Sequence, residues 1–191
     1  MFVKICGITN PEDALAAIEA GATALGFVFY KPSPRCANPD ALKPWLNALP
    51  AGICKVGVFV NEQPDIIEVI AAALHLDVAQ LHGNETPDRH PRGLRIWRAF
   101  RISPEALPAT GYPAEAILLD GPGGGRAFDW RLAKDLPGKV ILAGGLTPEN
   151  VRSAVEQTNP WGVDTASGVE SSPGRKDHAR MKQFIQAALG S

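Results

Sequence analysis

Met1-Phe2-Val3-Lys4-Ile5-Cys6-Gly7-Ile8-Thr9 reads as a short buried strand that ends in a thiol, then a glycine, then a helix start. Strands that deliver a side chain to the edge of a parallel sheet are how α/β proteins present chemistry. Thr9 and Glu12 stand at capping-box spacing, and Pro11-Glu12 opens the helix that should follow.

The same unit recurs along the chain. Proline followed by an acid suits a first helical turn, because the ring pre-sets φ, the missing N–H costs nothing there, and the acid favours the helix dipole. The pair occurs at Pro11-Glu12, Pro39-Asp40, Pro64-Asp65, Pro87-Asp88, Pro104-Glu105 and Pro148-Glu149. Each follows an apolar run. The candidate strands are Phe2–Cys6, Ala24–Phe29, Cys54–Val60, Val78–Leu81, Ile96–Phe100, Ala116–Leu119, Val140–Ala143 and Gly162–Thr165. The sixth and eighth units lack the proline, and Phe128-Asp129-Trp130 and Lys176-Asp177 stand where their helices should begin.

Continuous apolar strands alternating with helices predict a parallel sheet covered by helices. Eight such units predict a closed (β/α)8 barrel, a TIM barrel, as one domain over 1–191 with short loops. An open flavodoxin-like sheet is the alternative, but it needs fewer strands. The fifth helix is the weakest, since Ser103–Pro113 holds three prolines and a glycine.

Bulk properties narrow the function classes. A length of 191 residues with 45% hydrophobic residues suits one globular core, and a net charge of −1 with scattered basic residues excludes a nucleic-acid footprint. Three cysteines, Cys6, Cys36 and Cys54, are odd in number and lack metal-ligand spacing, which fits a reducing, cytoplasmic compartment. No apolar run approaches the ~18 residues of a membrane span. Lys4 sits where a signal peptide needs apolar residues.

In such a barrel, function sits at the C-terminal ends of the strands. Side chains alternate along a strand. Pointing Val3, Ile5 and Val163 at the helices sends Lys4, Cys6, Leu118, Asp120 and Asp164 into the barrel. A buried lysine needs a partner, and strands 1 and 8 are neighbours on closure, so Lys4 should lie near Asp164. Taken alone, Cys6 reads as a small buried hydrophobe. Its place at a strand end ahead of a helix start favours an activated thiol. Asp120 before Gly121-Pro122 suits an ordinary turn aspartate as well as a rim acid.

Strands 7 and 8 end in Ala143-Gly144-Gly145-Leu146 and Ala166-Ser167-Gly168-Val169-Glu170. Glycine loops at those two positions commonly form a phosphate site. Arg35, after Ser33-Pro34, could grip a carboxylate bidentately, but alone it reads as a solvated loop residue. His82 ends strand 4 on the face of Gln80, either lining the pocket or satisfied structurally. His75, His90 and His178 form no pattern. Trp45, Trp97, Trp130 and Trp161 read as core. Gly123-Gly124-Gly125 is no P-loop, because no Gly-Lys-Ser/Thr follows.

These residues carry a resemblance. Val3 through Thr9, Gly26-Phe27-Val28-Phe29 with Ser33-Pro34-Arg35, Gln80-Leu81-His82-Gly83 and Leu119-Asp120 begin it. It continues through Phe128-Asp129-Trp130, Ala143 to Leu146 with Asn150-Val151, and Asp164 through Ser167-Gly168-Val169-Glu170 to Gly174 and Lys176-Asp177. In this order, over the whole chain, the sequence resembles the phosphoribosylanthranilate isomerase family of tryptophan biosynthesis. It departs from the family in three places. The segment from Asp120 to Phe128 is shorter, Pro122-Gly123-Gly124-Gly125 replaces Gly-Gly-Thr/Ser-Gly, and Thr165-Ala166 precede Ser167.

The resemblance implies an Amadori rearrangement of N-(5-phosphoribosyl)anthranilate to the carboxyphenylamino-deoxyribulose phosphate, with no cofactor and no metal. It implies Asp120 as general acid at the ribose ring oxygen and Cys6 as general base at C2. Arg35 would bind the anthranilate carboxylate, Asp164 the substrate amine, and Gly144, Gly145, Ser167 and Gly168 the phosphate, with His82 in the substrate pocket. The expected partner is this small phosphoribosyl substrate alone, without nucleic acid or membrane, and the expected assembly a monomer or homodimer. Competing readings are a histidine-pathway aminoimidazole carboxamide ribotide isomerase, which typically pairs two aspartates, and a phosphoribosyl-ligand binding protein without turnover.

Overall fold

In the computed structural model, which describes residues 1–102, 111–122 and 128–190, eight parallel strands close on themselves. They are β1 (Phe2–Cys6), β2 (Ala24–Val28), β3 (Cys54–Phe59), β4 (Val78–Leu81), β5 (Arg95–Arg101), β6 (Ala116–Asp120), β7 (Lys139–Leu142) and β8 (Gly162–Thr165). Neighbours in sequence are neighbours in the barrel, and β8 returns to pair with β1, setting Lys4 opposite Asp164. The strand expectations hold to within a residue at either end.

The alternation sorts the core into two compartments. Val3, Ile5, Leu25, Phe27, Leu119, Leu142 and Val163 point outward and pack with Ala14, Ala17, Ile67, Phe184 and Ile185 of the helices. Ala24, Val56, Val78, Trp97, Ala99, Ala116, Leu118, Ile141 and Ala143 fill the interior. The floor, at the N-terminal ends of the strands, is aromatic. Phe2 stacks on Trp161 at 4.4 Å between centroids and meets Trp97 edge-on at 5.3 Å. Trp97 is fully buried, and Trp45, Trp130 and Trp161 pack partly buried against the core.

The helices are α1 (Pro11–Glu19), α2 (Pro39–Leu46), α3 (Pro64–Leu74), α4 (Val151–Thr158) and α5 (His178–Leu189). Proline opens α1, α2 and α3 as the sequence predicts. Four details differ. The cap of α1 is Asn10, whose side chain accepts from Asp13 N at 2.8 Å, while Thr9 donates its hydroxyl to Gly174 O. After β4 the chain makes only a 3-10 turn, Pro87–Arg89, because Pro91 forbids continuation of a helix. After β6 the expected helix is a 3-10 turn, Trp130–Ala133, cut short by Asp135 and Gly138 at positive φ with Pro137 between them. And α4 starts at Val151 rather than at Pro148-Glu149, because the Asn150 side chain bonds Thr147 N and Gly145 O and holds that segment as a turn. The Pro104-Glu105 helix start and the Gly123-Gly124-Gly125 run lie outside the described residues. An unexpected two-stranded hairpin, β9 (Glu170–Ser172) and β10 (Arg175–Lys176), follows β8. Among the described residues no helix is long and apolar enough to cross a membrane.

Candidate active site on the C-terminal rim

The C-terminal ends of the strands enclose a cavity of about 810 Å³. Of the nine residues nominated from sequence, eight line it: Cys6, Arg35, His82, Asp120, Gly144, Gly145, Asp164 and Ser167. Gly168 does not. It packs behind the wall against the Leu146 carbonyl, where a Cβ would collide, and its own carbonyl faces Arg180.

Cys6 is the last residue of β1 and is buried. Gly7 turns the chain away from the strand at φ +74, and Gly7 N and Ile8 N both donate to Gly26 O. A Cβ on Gly7 would lie 2.6 Å from Arg35 Cδ, so this glycine supplies both the left-handed turn and the seat for the Arg35 stem. Burial pushes the Cys6 thiol up from its ordinary value. Lys4 works against that, Asp164 adds to it, and Lys176 opposes it more weakly.

Lys4 is fully buried and donates to Asp164 Oδ1 at 3.0 Å, as the alternation argument requires. Asp120 closes β6, with Oδ2 3.3 Å from His82 Nε2, within ion-pair reach but off the line of a hydrogen bond. Gly144 and Gly145 follow β7 at φ +69 and +70, a run that side chains rarely adopt. A Cβ on Gly144 would strike Gly121 N and come within 2.7 Å of Asp120 Oδ1, so the loop after β7 lies directly on the loop after β6. Thr165 Oγ1 donates to Leu146 O at 2.9 Å and ties the loop after β7 to the end of β8.

Arg35 does not sit free in solvent. Its Nε and Nη2 donate to the two carboxylate oxygens of Glu170 at 2.8 and 2.6 Å. Glu170 also accepts from Lys176 Nζ at 2.9 Å, and the same ammonium donates to Cys6 O at 2.7 Å and Ala166 O at 3.1 Å. One buried lysine therefore joins the end of β1, the loop after β8 and, through Glu170, the arginine. Burial raises the Glu170 carboxyl, but Arg35 and Lys176 outweigh it and hold the group below the ordinary glutamate value of 4.5. A carboxyl depressed in this way binds fewer protons folded than unfolded. Its stabilisation is complete above that ordinary value and fades as pH falls through the depressed one. Lys176→Met should cost about 3 kcal/mol, since it strips a charge partner and two carbonyl partners at once, and should flatten the acid side of the stability profile. Urea unfolding from pH 3 to 7 measures both effects.

Sequence reasoning missed three wall or support residues. Lys176 was read as a helix-start marker and as part of the resemblance, with no role in the site. Arg98 donates to Leu81 O at 3.0 Å, Gly83 O at 2.7 Å and Glu85 Oε2 at 2.8 Å, clamping the turn that carries His82. Gln80 is buried in the cavity wall. The inward parity of β4 could have flagged Gln80, but Arg98 lies on the outward face of β5 between inward Trp97 and Ala99, and nothing in the sequence flags it or Lys176, whose partners are brought by the hairpin. Among the described residues no three His, Cys, Asp or Glu side chains gather into a set able to hold a metal ion.

Comparison with known proteins bears on this geometry. The family model described as N-(5'phosphoribosyl)anthranilate (PRA) isomerase matches residues 3–187. The chain is 48% identical to the N-(5'-phosphoribosyl)anthranilate isomerase of Solibacter usitatus over 98% of this chain and 97% of that one. It superposes with a TM-score of 0.91 and 42% identity, each chain covered completely, on phosphoribosyl anthranilate isomerase in complex with reduced 1-(o-carboxyphenylamino)-1-deoxyribulose 5-phosphate. A further structure, of monomers generated from the dimeric Thermotoga maritima enzyme, matches with a TM-score of 0.90 and 42% identity, again over both whole chains.

Proposed function

Because the chain belongs to the N-(5'-phosphoribosyl)anthranilate isomerase family, we propose that its rim cavity carries out the Amadori rearrangement with Asp120 as general acid and Cys6 as general base. The enzyme acts in tryptophan biosynthesis. Asp120 gives its proton to the ribose ring oxygen as the C1–O bond breaks and the anilino nitrogen forms a Schiff base with C1. Cys6, as thiolate, removes the proton from C2, and the resulting enolamine tautomerises to the ketone. These are proton transfers within one molecule, so the steps call for no cofactor.

The observation that carries the reading is the single cavity wall shared by Cys6 from β1, Asp120 from β6 and the glycine loop after β7. A substrate that spans the mouth meets a sulfur base, a carboxyl acid and a backbone anion cradle from three different strands. The remaining roles follow from position. Glu170 takes the Nε–Nη2 edge of Arg35, leaving Nη1 for the anthranilate carboxylate. Gly144, Gly145 and Ser167 hold the phosphate, with Gly168 supporting that loop from behind rather than touching the ligand. Asp164 accepts from the substrate amine, and His82 lines the pocket beside Asp120. The assembly expected from sequence, monomer or homodimer, covers both states named for the Thermotoga maritima relative. The three free thiols suit a reducing cytoplasm.

The test follows the loss of phosphoribosylanthranilate fluorescence with the purified chain. Turnover is expected. Ligand binding without turnover would mark a binding protein, and turnover confined to an aminoimidazole carboxamide ribotide would move the enzyme to the histidine-pathway activity.

A further inference from the structure

Lys4 is a fully buried ammonium that donates to Asp164 Oδ1 at 3.0 Å. As a link between β1 and β8 it is expensive, because burying two charges costs several kcal/mol per ion and well-packed apolar residues serve as well or better. Its surroundings say more. Gly26, across from Cys6 in the pairing of β1 with β2, has no Cβ because there is no room for one. A Cβ there would lie 2.8 Å from Cys6 Sγ and 3.0 Å from both Lys4 Cε and Nζ. The thiol and the ammonium thus crowd the same point above one glycine, with Cys6 in the cavity wall.

We propose that Lys4 is a positioning residue for the reaction: held by Asp164 over Gly26, its ammonium stabilises the thiolate form of Cys6. The inference rests on the reading of Cys6 as the base and supplies what that base needs, since a buried thiol is otherwise kept protonated. The other charges around the sulfur come from every side. Asp164 on β8 opposes ionisation, Lys176 on β10 and Arg35 after β2 favour it, and Glu170 neutralises much of those two. Lys4 is the cation paired with Asp164, which is itself offered to the substrate.

The test titrates Cys6 by its rate of iodoacetamide alkylation against pH, followed by mass, with Cys36 and Cys54 replaced by serine. Lys4→Met alone leaves Asp164 buried without a partner, so the decisive pair is Asp164→Asn against Lys4→Met/Asp164→Asn, which differ only in the lysine. Loss of the lysine should raise the midpoint by about one pH unit or more, a tenfold drop in thiolate at neutral pH. Equal midpoints would overturn the inference. A purely structural lysine would change melting and leave the thiol titration where it was. In Lys4→Met itself the rising limb of the kcat/KM profile should move with the thiol. If the titration moves and that limb does not, the lysine–thiol coupling stands and the assignment of Cys6 as base falls.

Discussion

Replacing Cys6 by alanine should lower kcat by on the order of 10²- to 10⁴-fold or more, because it deletes the group that takes the C2 proton. The substitution removes one sulfur atom from the end of β1 and leaves Gly7, Arg35 and the glycine loop after β7 in place, so ligand binding should persist with little change. Cys6→Ser should be almost as inactive, since a hydroxyl beside Lys4 is a far weaker acid than a thiol and offers no anion near neutral pH. Steady-state kinetics beside fluorescence titration with product separates the two effects. An alanine variant that turns over at near the parental rate would end the base assignment.

Asp120→Asn should be comparably damaging, on the order of 10²- to 10⁴-fold in kcat. The amide fills the same volume against Gly144 and His82, and it keeps hydrogen-bonding atoms in the same positions. What it lacks is a proton it can transfer to the ring oxygen. Ring opening would become rate-limiting. A substrate already opened to the Schiff base would bypass the defect, while it would not rescue Cys6→Ala. An active Asp120→Asn enzyme would shift the acid role to another group on the rim, with His82, 3.3 Å away, the first to examine.

Most of the fold was legible because it rests on two local rules. Proline–acid pairs mark helix starts, and strand alternation fixes which side chains face inward. The second rule is what brought Lys4 to Asp164 across 160 positions of sequence. The failures are equally physical. Proline and positive-φ residues that end a helix early, at Pro91 and at Asp135, are visible in the sequence, but their effect depends on how many residues remain before the next strand. The capping box failed because Asn10, one residue on, caps the helix through Asp13 N, while the Thr9 hydroxyl is spent on Gly174 O. In the site, rim residues on strands were readable by parity, whereas Glu170 and Lys176 act through a hairpin whose closure no local pattern announces. Arg35 reads alone as a solvated loop residue, yet it lines the cavity wall tethered to Glu170, which is a tertiary fact.

The Lys4–Asp164 contact has a consequence for the order in which the molecule can be made. Chains emerge N-terminus first, at about 5–20 residues per second, so β1 is synthesised with one edge open and with a charged side chain on its inner face. Its counter-ion is 160 positions away. Until β8 leaves the ribosome, neither the open edge nor the charge is satisfied, and the aromatic floor lacks Trp161. The final quarter of the sequence is then the part that commits the first strand to its place.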